Sequence, residues 1–82
     1  MKIKPLRSDL KNILQRHQLE KKFLKQQRLF ESNDRHPSLK TEKLKPEKLR
    51  LYSFRIDIKW RAIFIIVDGE AEIVDINPHY RQ

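Results

Sequence analysis

From residue 60 to residue 77 the chain reads WRAIFIIVDGEAEIVDIN, and the reading of this stretch decides the fold. Its apolar side chains recur with period two on either side of Val67-Asp68-Gly69-Glu70. That period marks extended backbone, in which successive side chains point to opposite faces. A two-residue hairpin turn of type I′ needs positive φ at both central positions, and Asp-Gly tolerates it. The stretch therefore predicts two antiparallel strands, Trp60 to Val67 and Glu70 to Asn77. Pairing Val67 with Glu70 sets Ile65 opposite Glu72, Ile63 opposite Val74 and Arg61 opposite Ile76. Both faces of the first strand are largely apolar and the 57–60 turn has room for a bulge, so periodicity leaves open which parity faces the helices.

The same period extends upstream to Leu49 to Ile56, a third antiparallel strand. Before it lies a basic connector, SLKTEKLKPEKL over residues 38–49, read as a flexible loop in which Leu39 and Leu44 are the apolar anchors. Further upstream the period becomes helical. Leu10, Ile13, Leu14 and His17 share one helix face, whereas Leu19, Phe23 and Phe30 fall on another, which predicts two helices meeting at residues 16–18. Ser8 with Asp9 signals the N-cap of the first. The second runs from about Leu19 to Ser32 and ends in Ser32-Asn33-Asp34 before His36-Pro37. Lys2 to Leu6 reads as a short strand stopped near Pro5. The expected fold is α+β, in the order β-α-α-β-β-β, with an N-terminal αα hairpin packed on one face of a small antiparallel sheet. The other face is left for function.

At 82 residues with no glycine-rich or low-complexity interruption, residues 1–82 read as a single domain. A domain of this size buries only roughly 60 to 65% of its unfolded surface, so a partner adds usefully to its stability. The absence of cysteine removes a disulfide framework and a Cys-based zinc site, and fits a reducing cytosol. His17, His36 and His79 lack metal-ligand spacing, so neither metal nor cofactor is expected. The start, MKIKPLRSDL, has no signal-like apolar core, and the longest apolar run, Ala62 to Val67, is too short to cross a bilayer. A cytoplasmic protein without membrane contact is the expectation.

Charge is distributed unevenly. Residues 1–50 carry 15 Lys/Arg against 6 Asp/Glu, whereas residues 51–82 carry 4 against 5. The resulting net charge of +8 attracts RNA or DNA in a salt-dependent way. An acidic protein partner satisfies the same field, and so does a lysine-rich surface that serves only solubility.

Four segments then carry a resemblance: HPSLKTEKL, the strand pair LYSFRIDIKWRAIF with its arginines six apart, the strand EIVDI, and the near-terminal His-Tyr. With the order of elements, they resemble bacterial toxins of the RelE/ParE superfamily, and within it the YoeB branch. The resemblance spans nearly the whole chain and is specific from about His36 onward. It implies a ribosome-dependent mRNA endonuclease that works without metal and is silenced by a cognate antitoxin. A homodimer or a toxin-antitoxin heterocomplex is the implied assembly. The branch's functional Glu, second strand-pair arginine and terminal His-Tyr fall on Glu42, Arg61, His79 and Tyr80, and its first arginine on Arg55.

Cleavage of this kind has the RNA 2′-hydroxyl attack the adjacent phosphate, giving a 2′,3′-cyclic phosphate and a 5′-hydroxyl. It calls for a base at the 2′-OH, a cation on the nonbridging oxygens and an acid at the departing 5′-oxygen. Glu42 is the implied base. An ordinary Glu titrates near pH 4.3, so burial or a hydrogen-bond network has to strengthen it, against the pull of Lys40, Lys43 and Lys45. Arg61 is the implied phosphate cation, since a guanidinium stays charged and binds phosphate through a rigid fork. The bland alternative is a strand-edge arginine paired with Asp57 or Asp75. Arg55 shares the phosphate, orients Glu42 or supports the sheet. His79, with an unperturbed pKa of about 6.5, is the implied acid, and Tyr80 stacks on a base or bonds the phosphate. Lys40, Lys43, Lys45 and Arg81 are expected phosphate contacts without sequence specificity.

The blander readings of other residues are packing for Tyr52 and Trp60, a turn for His36 and a helix end for His17. Two alternatives to the nuclease remain: a ParE-like inhibitor of DNA gyrase that acts by binding, and a non-catalytic RNA- or protein-binding module.

Overall fold

The hairpin over residues 60–78 supplies two of the four strands of the sheet. The computed structural model describes residues 1–78. It runs α1 (Ser8–Arg16), α2 (Glu20–Ser32), a 3₁₀ turn (Pro37–Leu39), β1 (Glu42–Lys43), a second 3₁₀ turn (Glu47–Leu49), β2 (Tyr52–Arg55), β3 (Trp60–Val67) and β4 (Glu70–Pro78). The strands form one antiparallel sheet in the order β1-β2-β3-β4. Two helices with a four-stranded antiparallel sheet are the α+β class that the pattern predicts.

Asp68 and Gly69 both adopt positive φ, +54° and +76°, as the type I′ reading requires. The predicted register holds from Val67↔Glu70 through Ile65↔Glu72 to Phe64↔Ile73, and then shifts by one at a β-bulge between Ile63 and Phe64, where Ile63 meets Asp75. Arg61 therefore pairs with Asn77, and Ile76 with Ala62. The extra residue, Val74, reverses the parity of β4: Ala71 and Ile73 face the core before it, and Ile76 does so after it. A strict alternation would have turned Ile76 away from the core.

The helices cover the face of the sheet that bears Phe54, Ala62, Phe64, Ile73 and Ile76, which settles the parity left open by the sequence. Phe30 of α2 is the hub. Its ring lies 5.1 Å from Phe54 and 5.3 Å from Phe64, the second edge-on, a geometry that suits the quadrupoles of aromatic rings. The helix break falls where the apolar phase changes: α1 ends at Arg16, Gln18 takes φ +57°, and buried Leu19 precedes α2. His17 follows the last turn of α1 with its ring 4.4 Å from Trp60, and Tyr52 stacks on Phe64 at 5.5 Å. His36 accepts the Ser38 amide on Nδ1 at 3.1 Å, in the turn expected of it.

Several expectations are corrected. The predicted N-terminal strand shrinks to one parallel bridge, Ile3 with Ala71, held by Lys4 N to Ala71 O and Ala71 N to Lys2 O, each 2.8 Å. Ser8 is already helical and makes no cap; Arg7 precedes the helix instead and binds the Asp9 carboxylate at 3.0 and 3.1 Å. That contact holds the Asp9 carboxyl below its ordinary range, against a smaller opposing effect of burial. The third strand is shorter than predicted, 52–55 rather than 49–56, and Leu49 is exposed in the 3₁₀ turn. Most consequential, the connector is not a free loop. Leu39 and Leu44 are buried as expected, but Glu42 and Lys43 pair with Ser53 and Tyr52 as a fourth strand.

Candidate functional site

Directly opposed residues of an antiparallel pair project to the same face, so the register alone assembles the site. One row across the sheet reads Glu42, Ser53, Ile63, Asp75, and the next reads Arg55, Arg61, Asn77. All lie on the face away from the helices. The two arginines six apart in sequence become direct partners because the turn at residues 56–59 folds β2 onto β3. Asp57 shapes that turn by accepting the amides of Lys59 at 2.8 Å and Trp60 at 2.7 Å, with Lys22 at 3.2 Å. Burial works to raise the Asp57 carboxyl, but the two amides and the Lys22 ammonium prevail and hold it below its ordinary value.

Arg61 is 9% exposed, unusual for an arginine, and its hydrogen bonds explain how it is accommodated. Nε donates to the Ser53 hydroxyl at 2.9 Å, and Nη2 donates to the Lys40 carbonyl and, at 3.4 Å, to the Ser53 carbonyl. Burial pushes its pKa down from the ordinary arginine value; the Glu42 charge opposes this and the Arg55 charge adds to it. The alternative pairing with Asp57 or Asp75 is not realised. Asp57 serves its own turn, and Asp75 accepts from the Ile76 amide at 2.8 Å and from Asn77 Nδ2 at 2.6 Å. Among the described residues, no carboxylate comes within 4.0 Å of either Arg55 or Arg61. One edge of the Arg61 fork is thus committed to the protein, which limits how it can grip a phosphate.

Glu42 stands exposed on the edge strand, so the protein itself does not supply the burial that a strong base would need. Its charge nevertheless acts on Arg61. Lys43 pairs with Tyr52 on the opposite face, its Nζ 5.9 Å from the centre of that ring, so it does not share a side with Glu42. Lys40 has left-handed backbone, φ +47°, at the end of the first 3₁₀ turn, with its side chain exposed and its carbonyl turned to Arg61. Lys45 is exposed just beyond β1. The three expected residues His79, Tyr80 and Arg81 lie outside the described residues.

Two positioning groups escaped the sequence reading. Ser53 is fully buried beneath Arg61. Gln26, also buried, donates Nε2 to the Arg55 carbonyl at 2.7 Å and at 3.5 Å to the Ser38 carbonyl, tying α2 to both the end of β2 and the connector. The only signal of either is its place, Ser53 between Tyr52 and Phe54 and Gln26 on the helix face of Phe23 and Phe30. A cleft of about 580 Å³, floored by Phe30, Tyr52 and Phe64 and rimmed by His36 and Lys40, opens on the helix side of the sheet rather than at Arg61. Among the described residues no group of three or more His, Asp or Glu side chains is placed to hold a metal ion, and no helix is long and apolar enough to cross a membrane.

No protein-family model matches the chain, and no curated protein matches it. Among solved structures it is similar to a chain of the YoeB-YefM complex from Staphylococcus aureus, with 28% identity and a TM-score of 0.59 over 96% of this chain and 94% of that one. This likeness over nearly the full length supports a YoeB-like toxin of the RelE superfamily.

Proposed function

We propose that residues 1–82 act as one domain, the toxin of a type II toxin-antitoxin pair, and that it is a ribosome-dependent mRNA endonuclease. The observation that carries this reading is the convergence of Glu42, Arg55 and Arg61 on the uncovered face of the sheet. In the proposed reaction Glu42 takes the proton of the 2′-hydroxyl, whose oxygen forms a bond to the adjacent phosphorus while the bond to the 5′-oxygen breaks. Arg61 faces the charge that gathers on the nonbridging oxygens, in a site dry enough to strengthen it. Arg55, directly opposite, adds a second cation. His79 returns a proton to the leaving oxygen and Tyr80 holds a base or the phosphate. Glu42 lies open to solvent in the free protein, so packing of the RNA over it supplies the desolvation that its role as a base requires.

The YoeB chain of the similar structure is in complex with YefM. By analogy a cognate antitoxin is the proposed partner of this chain, and an acidic or amphipathic segment suits its charge of +8. Lys40, Lys45 and Arg81 are proposed to meet RNA phosphates of the message and the ribosome.

Primer extension on mRNA bound to purified ribosomes tests the reading. Cuts are expected only where ribosomes are bound, with a 5′-hydroxyl on the downstream fragment. Intact mRNA together with inhibited supercoiling by DNA gyrase would overturn it in favour of a ParE-like activity. Cleavage that survives replacement of all four of Glu42, Arg61, His79 and Tyr80 would remove the site.

A further inference from the structure

We propose that Ser53 is a positioning residue, which fixes the orientation of the Arg61 guanidinium for phosphate; the inference rests on the nuclease reading of this face. A guanidinium is planar, so holding one edge fixes where the other points. Nε and Nη2 form the held edge. The Ser53 hydroxyl takes Nε at 2.9 Å, and the carbonyls of Lys40 and Ser53 take Nη2. Two separate segments therefore grip the group: β2 through Ser53 and the connector through Lys40. The left-handed backbone of Lys40 turns its carbonyl toward the guanidinium, and Glu42 follows two residues later in the same connector. Among the described residues, Nη1 takes no hydrogen bond, which leaves it to the substrate. Arg61 thus offers phosphate one free nitrogen and presents it rigidly, rather than reaching out with its whole fork.

Ser53 is the variable element of this grip, because the other two acceptors are backbone. It has no exposed surface, and it stands in β2 between Tyr52 and Phe54. Its hydroxyl is the one side-chain acceptor for Arg61 among the described residues. Without it, the buried Nε–H loses its partner and only the two carbonyl contacts of Nη2 remain to hold the plane of the guanidinium.

The test uses the full chain carrying Ser53→Ala, Ser53→Cys or Ser53→Thr. Cysteine nearly keeps the volume but accepts hydrogen bonds weakly, whereas threonine keeps the hydroxyl. Two readouts are taken: hydrogen exchange at Arg61 Nε by NMR on the free protein, and single-turnover cleavage of ribosome-bound mRNA. Ala and Cys are expected to speed Nε exchange and to lower the cleavage rate about 10- to 100-fold, the size of effect a slightly misplaced catalytic group produces. Half-saturation should stay within about 2-fold, since the lost interaction acts in the transition state. Threonine should restore slow exchange and most of the rate. If Ser53→Ala fails to fold, the cysteine variant carries the comparison. A folded Ala or Cys variant that cleaves at the wild-type rate overturns the inference while leaving the nuclease reading intact. Unchanged Nε exchange overturns it on the free protein alone. A wild-type chain that never cuts mRNA overturns the nuclease reading, and with it the catalytic purpose of the grip, whereas the exchange readout still reports whether Ser53 holds Arg61.

Discussion

The guanidinium of Arg61 gives Nε and Nη2 to acceptors of its own protein, so part of its charge-assisted bonding is structural before any RNA arrives. Its candidacy was legible in the sequence through the resemblance, as the second of two arginines six apart across a turn. Its partner was not, because a single serine within a strand leaves no periodic trace, whereas the carboxylates that looked available are used by Lys22, by Asn77 and by local amides. Gln26 is a second group of this kind. Replacing it with leucine keeps the volume but leaves the Arg55 carbonyl without its 2.7 Å donor. Such a buried unpaired group costs about 1 to 3 kcal/mol, which urea denaturation of Gln26→Leu should show as a lower midpoint with an unchanged slope.

At the scale of elements, the hairpin was readable because Asp68-Gly69 and the alternation around it agree. Gly69 takes φ +76° with nothing within 4 Å of where a Cβ would stand, so the cost of Gly69→Ala is conformational rather than steric. About 1 to 2 kcal/mol is expected, measurable by thermal unfolding, and a neutral result would mean the turn is not type I′. The bulge at Val74 was not readable, since Ile-Val-Asp-Ile fits either parity until the core selects Ile76. Nor was the strand made by Glu42 and Lys43, which has only two residues in a lysine-rich run. It forms because buried Leu39 and Leu44 pin the connector on both sides. The turn held by Asp57 predicts a pH dependence. Its carboxyl lies below the ordinary 3.8 in the folded state, so its stabilisation is complete above that value and is lost as pH falls through the lower folded one. Asp57→Asn should therefore flatten the acid limb of the stability profile, and an identical limb would contradict the assignment.

For the whole molecule, the charge asymmetry suits the anionic partners of the proposed reading. A net charge of +8 with its excess in residues 1–50 predicts that association with ribosomes weakens steeply with salt. Cosedimentation across a potassium chloride series should give a linear fall of log affinity against log salt, and replacing Lys45 with glutamine should reduce the slope by about 0.7 to 0.9. The fold class was legible from the sequence because the period changes and the resemblance agree, whereas the face that the helices cover was settled only by the core. The convergence of Glu42 with Arg61 needed the register, which no count of residues contains. The most direct measurement of the central claim is single-turnover cleavage of ribosome-bound mRNA by the wild-type chain, Arg61→Ala and Glu42→Gln. The account predicts that Arg61→Ala, still bound to ribosomes, loses about 100- to 1000-fold in rate, as removal of a transition-state charge donor does, and that Glu42→Gln also falls sharply. Folded variants of both residues that cut mRNA at the wild-type rate would contradict it.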